Sequence, residues 1–363
     1  MITLISFIIL LGILIFVHEL GHFLVARLSG VGVEKFSLGF GPKIIGSKIG
    51  ETEYVLSWIP LGGYVKLLGE TGKEDLSPED TKRSFNNQPT WKKLLIVVAG
   101  PVFNFFLAIV IFSIVYMYGL PSLQPIVGQI ADESAAMEAG ILSGDKVISI
   151  GDEQIKYWDD IKPIITKAKE TNLKVVVERD GVQVALSVKP KKSTAQNIFG
   201  EEVSTYLIGI SPKGDTIVQR KNPFSALWSS LQKTVEISQL TILSIVKMIQ
   251  GVLSPRTLGG PIFIAQVAGD QVKEGIIPFI LFMAVLSINL GVINLFPIPV
   301  LDGGHILFYL IEMVTRKQIP VKVREFATQI GFVALLMLML FVIMIDIERL
   351  NIKPINDVLK IFK

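Results

Sequence analysis

Within five residues the chain places His18, Glu19 and His22, in the order His-Glu-Leu-Gly-His. Four apart on a helix, the two imidazoles project from one face about a turn apart, near enough to bind one ion. Glu19 beside them can hold the proton of a water activated there, the chemistry of metal-assisted peptide hydrolysis. The five-residue pattern recurs in many chains, and its setting is what gives it weight. It lies in the later half of an apolar stretch from Ile2 to Leu28. In lipid, ionisable side chains cost roughly 3 kcal/mol each, so a merely structural trio is a poor bargain.

Two histidines leave a catalytic zinc one protein ligand short. Asp302 is the strongest candidate for the third. It follows Asn294-Leu295-Phe296-Pro297-Ile298-Pro299-Val300-Leu301, where two prolines must break a helix and free backbone groups. Such a break in a membrane is tolerated where it is buried or lines a cavity; capping of the broken helix is the other reading of Asp302. His305, the third and last histidine, lies past Gly303-Gly304 and suits a supporting or interfacial role. Asn289, Asn294 and Asn104 are polar residues in apolar stretches, available either to hydrogen-bond a scissile peptide or to join helices.

The elements that must position these residues are membrane spans. Half of the 363 residues are hydrophobic and only 18% charged, with a mean hydropathy of +0.55, outside the range of a soluble domain of this length. Four stretches approach the roughly 20 apolar residues that cross a bilayer: Ile2 to Leu28, Leu94 to Leu120, Ile276 to Phe296, and Ala327 to Ile345. The first lacks a basic n-region and carries the His-Glu-His trio, so it reads as a retained helix rather than a signal peptide.

Lys and Arg crowd the connection between the first two spans (Arg27, Lys35, Lys82, Arg83, Lys92, Lys93) and that between the last two (Arg316, Lys317, Lys322, Arg324). By the positive-inside rule both are cytoplasmic, and the insert after the second span is on the other side. That insert, from Pro125 to Pro212, alternates short strand-like runs with one helical stretch and turns such as Arg179-Asp180-Gly181, as a small soluble domain would. Phe224 to Val252 has apolar residues at helical spacing among charges. It suits an interfacial helix, with a fifth span as the alternative. Tyr54 to Ser57 and Tyr64 to Leu67 are strand-like, with Pro60-Leu61-Gly62-Gly63 as the turn of a hairpin between them. No cysteine is present, which excludes disulfides, thiolate metal sites and a Cys nucleophile. The net charge of +3 comes from scattered basic residues, so no nucleic-acid partner is expected.

Together, His18 to His22 in the first span, Gly100-Pro101 with Asn104 in the second, and Asn294 to Gly303 with Leu301-Asp302-Gly303 in the third resemble the site-2 protease family of intramembrane zinc metalloproteases, most closely its RseP-type bacterial branch. The resemblance implies an α-helical membrane protein with a four-span metalloprotease core, one Zn²⁺ ion on His18, His22 and Asp302, and Glu19 as base. It also implies a substrate contact at Asn294, a membrane-associated β-hairpin region from Gly39 to Glu70, and one inserted, mostly β PDZ domain, resembled at Ala139 to Ile148. Many such members carry two PDZ domains; the space here holds one. The implied organisation is residues 1–120 for the first two spans and the hairpin region, 125–212 for the PDZ domain, 213–275 for an amphipathic segment, and 276–363 for the last two spans and a C-terminal tail.

Implied partners are the lipid bilayer and single-span membrane proteins cut within their spans in regulated intramembrane proteolysis, anti-sigma factors or remnant signal peptides among them. The implied location is a bacterial inner (cytoplasmic) membrane, with the PDZ domain outside and the active site in the cytoplasmic half. A silent scaffold and a metal transporter are the competing functions. The intact Glu19 argues against the first, and a single acidic ligand against the second.

Overall fold

A computed structural model of the chain describes residues 1–70 and 76–350; most of the expected C-terminal tail lies outside the described residues. The backbone divides into two compact units, Met1–Ile114 with Ser225–Lys363, and Val115–Phe224.

The first unit opens with α1 (Ile2–Leu28), long enough at 27 residues to span about 40 Å. Two long strands follow, β1 (Val33–Ile49) and β2 (Thr52–Leu67). Their tight connection is at Gly50, where φ is +64°, and not at Pro60 to Gly63 as the turn-like sequence suggests. That stretch stays extended inside β2, because Lys35 to Leu38 pair twice, with Glu53 to Leu56 on one side and Gly63 to Lys66 on the other. β2 therefore has to pass from one flank of β1 to the other, and the Pro60 region carries it round. Gly39 and Gly41, at φ +92° and +86°, let β1 change direction in the same place. The outcome is a curved sheet in which 63–67 forms an outer segment.

The short α2 (Pro78–Arg83), capped by Ser77, precedes α3 (Thr90–Tyr118). α3 keeps its helical course through Pro101, whose ring removes one backbone donor.

The second unit is built from short elements: β3 (Leu120–Leu123), β4 (Val127–Ile130), α4 (Ala135–Glu138), β5 (Lys146–Ile150), β6 (Glu153–Gln154), α5 (Ile161–Ala168), β7 (Leu173–Arg179), β8 (Val182–Val188), β9 (Lys191–Gln196), β10 (Glu202–Leu207), β11 (Ile210–Pro212) and β12 (Thr216–Gln219). A four-stranded sheet of order β6-β5-β7-β8 anchors it, with pairs β9-β10, β4-β11 and β3-β12. Asp180 and Gly181 turn β7 into β8 with φ of 50° and 81°, both in the left-handed region that a two-residue hairpin loop needs. The core is Val127, Ile141, Val147, Ile150, Val175, Val177, Val188 and Ile208.

Back in the first unit, α6 (Pro223–Ile249), α7 (Pro261–Glu274), α8 (Ile276–Asn294), α9 (Asp302–Thr315) and α10 (Val321–Arg349) complete the chain. Among the described residues, four helices are long and apolar enough to cross a membrane: α1, α3, α8 and α10. They match the four stretches read from sequence, with α10 longer at both ends. α6 is helical over the amphipathic segment but is not among the four. The spans leave many large apolar side chains exposed, Ile5, Ile9, Phe106 and Leu340 among them, as surfaces facing lipid rather than water do.

Candidate metal centre

α1 carries His18 and His22 on one face, and α3 crosses that face closely. A Cβ on Gly21 would fall within 2.8 Å of the Ala99 carbonyl carbon, so glycine sets the approach of the two helices. Asp302 arrives from the break after α8. That helix ends at Asn294, and α9 begins at Asp302 itself. The prolines leave 295–301 non-helical, and the two following glycines let α9 fold back on it: a Cβ on Gly303 would collide with the Leu295 and Phe296 carbonyls, and one on Gly304 with Ile298 and Pro299. Asp302 therefore sits at the first turn of a helix pressed on its own lead-in.

Three ligand-type side chains converge. His18 Nε2 lies 3.3 Å from His22 Nε2 and 3.2 Å from Asp302 Oδ2, and His22 Nε2 lies 3.6 Å from Asp302 Oδ1. The edges of a tetrahedron drawn around zinc at ordinary ligand distances are about 3.3 Å long. Asp302 Oδ2 is buried and accepts no hydrogen bond, an arrangement costly for a carboxylate unless a cation completes it. The residues present fit a zinc ion, and among the described residues they are the one such His/Cys/Asp/Glu group.

Around the three, other groups fix the rings. His22 Nδ1 faces the Ile96 carbonyl at 2.8 Å, which holds a proton on Nδ1 and leaves Nε2 free to ligate. Asn104 is fully buried, with Nδ2 3.0 Å from His18 Nδ1, so its amide is engaged by the ring. Asn294 Nδ2 approaches His18 Nε2 at 3.4 Å, beside the converging atoms. Asn289 lies apart from them, its Oδ1 accepting a hydrogen bond from Thr241 Oγ1 of α6 at 2.7 Å.

Glu19 is buried next to the pair and faces a cavity of about 400 Å³, which His18, His22 and Asp302 also line. Gly63, Tyr64, Val65 and Leu67 of the outer β2 segment also line it, with Gly63 packed against the Glu19 side chain, and so do the polar Asn86, His305, Tyr309 and Arg324. Arg324 is paired with Glu312 and lies over the Tyr309 ring.

The sequence marks Gly100 only as part of the Gly100-Pro101 motif, without a role at the site, and does not mark Ile96 at all. A glycine inside an apolar helix costs about 1 kcal/mol against alanine and so invites a reason. A backbone carbonyl such as that of Ile96 has no sequence signal.

The sequence profile of Peptidase family M50 matches residues 6–338. A Rhizobium meliloti protein named "putative zinc metalloprotease" is 35% identical over 362 residues, covering 96% of this chain and 97% of its own. One from Campylobacter jejuni, of the same description, is 37% identical over 343 residues, covering 94% and 92%. A third, from Clostridium acetobutylicum, is 36% identical over 345 residues, covering 95% and 96%. With a convergent two-histidine, one-carboxylate group among four apolar helices, the chain belongs to peptidase family M50, the site-2 protease family, and is a membrane zinc metalloprotease.

Proposed function

We propose that this protein is an intramembrane endopeptidase that holds one zinc ion on His18, His22 and Asp302 and hydrolyses peptide bonds within the spans of single-span membrane proteins. The observation that carries this reading is the convergence of both Nε2 atoms and the Asp302 carboxylate, at tetrahedral-edge spacing, inside a bundle of lipid-length helices.

A zinc ion there supplies a Lewis acid to water and to the scissile carbonyl. Glu19 accepts the proton of the attacking water and returns it to the leaving amide nitrogen. Asn294, beside His18 Nε2, donates to the substrate peptide and holds its carbonyl in line.

A transmembrane helix hides its carbonyls in its own hydrogen bonds, so it must unwind before attack. The outer segment Gly63 to Leu67, which lines the same cavity as Glu19 and Asp302, offers the unwound stretch a strand to pair with, and so satisfies its backbone in a dry site. The basic connections lie in the cytoplasm, which puts the metal in the cytoplasmic half of a bacterial inner membrane. The Val115–Phe224 unit is a single PDZ domain outside, screening substrates trimmed by an earlier protease, as in regulated proteolysis of anti-sigma factors or disposal of remnant signal peptides.

The test is reconstitution with a model single-span substrate. Wild type cleaves it; Glu19→Gln cleaves at least about 100-fold more slowly, and chelated wild type does not cleave. Glu19→Gln that cleaves at the wild-type rate sinks the mechanism, and cleavage that survives chelation sinks the metal.

A further inference from the structure

A histidine that ligates zinc through Nε2 carries its proton on Nδ1, and that N–H needs an acceptor to fix the ring. For His22 the acceptor is the Ile96 carbonyl. For His18 the partner at Nδ1 is the Asn104 amide. Asn104 is completely buried in α3, and its backbone is tied to α8 by Ser287 Oγ, which donates to the Asn104 carbonyl at 2.8 Å. The side-chain Nδ2 faces the ring, and Oδ1 is buried without a partner. The two ends of an amide exchange by a half-turn about χ2. Once Nε2 of His18 is committed to an ion, Nδ1 becomes a donor, and the half-turn brings the idle Oδ1 to accept from it.

One helical turn earlier on the same helix stands Gly100. A Cβ there would fall on His22 Nε2, within 2.6 Å of His22 Cε1 and 2.8 Å of His18 Cε1. Any side chain at 100 thus takes the space of both imidazoles at their Cε1 edges.

We propose that Gly100 and Asn104 form a cradle for the imidazole pair and set the affinity of the metal centre: Gly100 by leaving room for the two rings, Asn104 by presenting Oδ1 to His18 Nδ1. Both are positioning residues, acting through the histidines. The inference rests on the zinc-centre reading above. It assigns Asn104 to the metal and not to the substrate, the role its sequence position first suggests.

The experiment measures zinc affinity by chelator competition in purified full-length protein, together with the visible spectrum of the cobalt-substituted form. Asn104→Leu keeps the volume and removes the acceptor; Gly100→Ala adds the Cβ. Each is expected to weaken zinc binding 10- to 100-fold, the usual consequence of losing a ligand's supporting partner, and to shift the cobalt bands. Asn104→Asp keeps an acceptor oxygen and is expected to bind zinc within a few-fold of wild type with unshifted bands. Thermal unfolding of the chelated proteins separates ligand positioning from loss of fold, since Gly100→Ala is expected to bind poorly even where its chelated form melts as wild type does.

Three results overturn the proposal. Asn104→Leu that binds zinc like wild type but shows a raised KM makes Asn104 a substrate contact. Asn104→Asp that loses zinc as Asn104→Leu does means His18 needs the donor end of the amide. A wild type that binds no zinc overturns the metal centre and the cradle with it, whereas the first two leave the centre standing.

Discussion

Two aspartates, Asp145 buried in one unit and Asp302 half-buried in the other, have opposite surroundings. Asp145, 1% exposed in the Val115–Phe224 unit, has its lone pairs filled: Arg179 Nε donates to Oδ1 at 2.8 Å, and Arg179 Nη2 and the Leu142 N–H donate to Oδ2 at 2.7 and 2.8 Å. Burial alone would push its carboxyl up, but the Arg179 guanidinium and the Leu142 N–H outweigh it and hold the group below the usual carboxylate range. Asp302 has the reverse. Its Oδ2 has no donor and faces His18 Nε2, and its Oδ1 faces His22 Nε2. A carboxylate whose lone pairs are filled belongs to the scaffold; one whose lone pairs meet other lone pairs has been left open for a cation.

Asp346 shows that burial at the end of an apolar helix does not by itself make an aspartate functional. It is 2% exposed on α10, yet it accepts from the N–H groups of Gly260, Ile262 and Phe263 at 3.0 Å each. It thereby caps the start of α7, a site where backbone donors and the helix dipole both favour a negative charge.

The comparison yields four expected outcomes. Asp302→Asn, the largest, abolishes zinc retention and takes cleavage to background, while the metal-free protein remains at least as stable as metal-free wild type; metal analysis and unfolding of the chelated forms check both halves. Glu19→Gln keeps zinc and loses activity by about 10²- to 10⁴-fold, the usual worth of a positioned base; cleavage rates and metal content measured on one preparation check it.

Asp145→Ala leaves zinc content unchanged and destabilises its own unit by about 1–3 kcal/mol, the cost of unpairing buried donors, with Arg179 able to reach water on its open side. Its pH signature follows from the lowered carboxyl: the stabilisation is full above about pH 4, the value in the unfolded chain, and is lost as pH falls through the lower folded value. Hydrogen exchange in β5 and β7 at pH 7 and pH 3 checks it, with wild type losing protection in acid and Asp145→Ala changing less. Asp346→Ala is the mildest, costing about 1–2 kcal/mol as the loss of a cap does. It is read as faster exchange at Ile262 and Phe263 with zinc content unchanged.

Much of this arrangement is legible in the sequence because lipid penalises what water forgives. Charged residues in an apolar stretch betray α1, and Pro297 and Pro299 mark the break from which Asp302 enters. What escapes is whatever depends on pairing at a distance. Pro60 to Gly63 has the composition of a turn, yet double pairing of Lys35 to Leu38 keeps it extended. Asn104 and Asn289 look alike as polar residues in apolar helices; only packing assigns one to His18 and the other to Thr241. Asp346 reads as an acid near a helix end until α7 is seen to start against it.

The central claim, hydrolysis inside the bilayer by a zinc centre on His18, His22 and Asp302, is tested most directly by mapping the cut. With a single-span substrate in liposomes and ¹⁸O-water, mass spectrometry is predicted to find ¹⁸O in a new C-terminal carboxyl within the apolar span, only with zinc present and Asp302 intact. A cut confined to the flanking soluble segments, or one that Asp302→Asn still makes, would contradict the account.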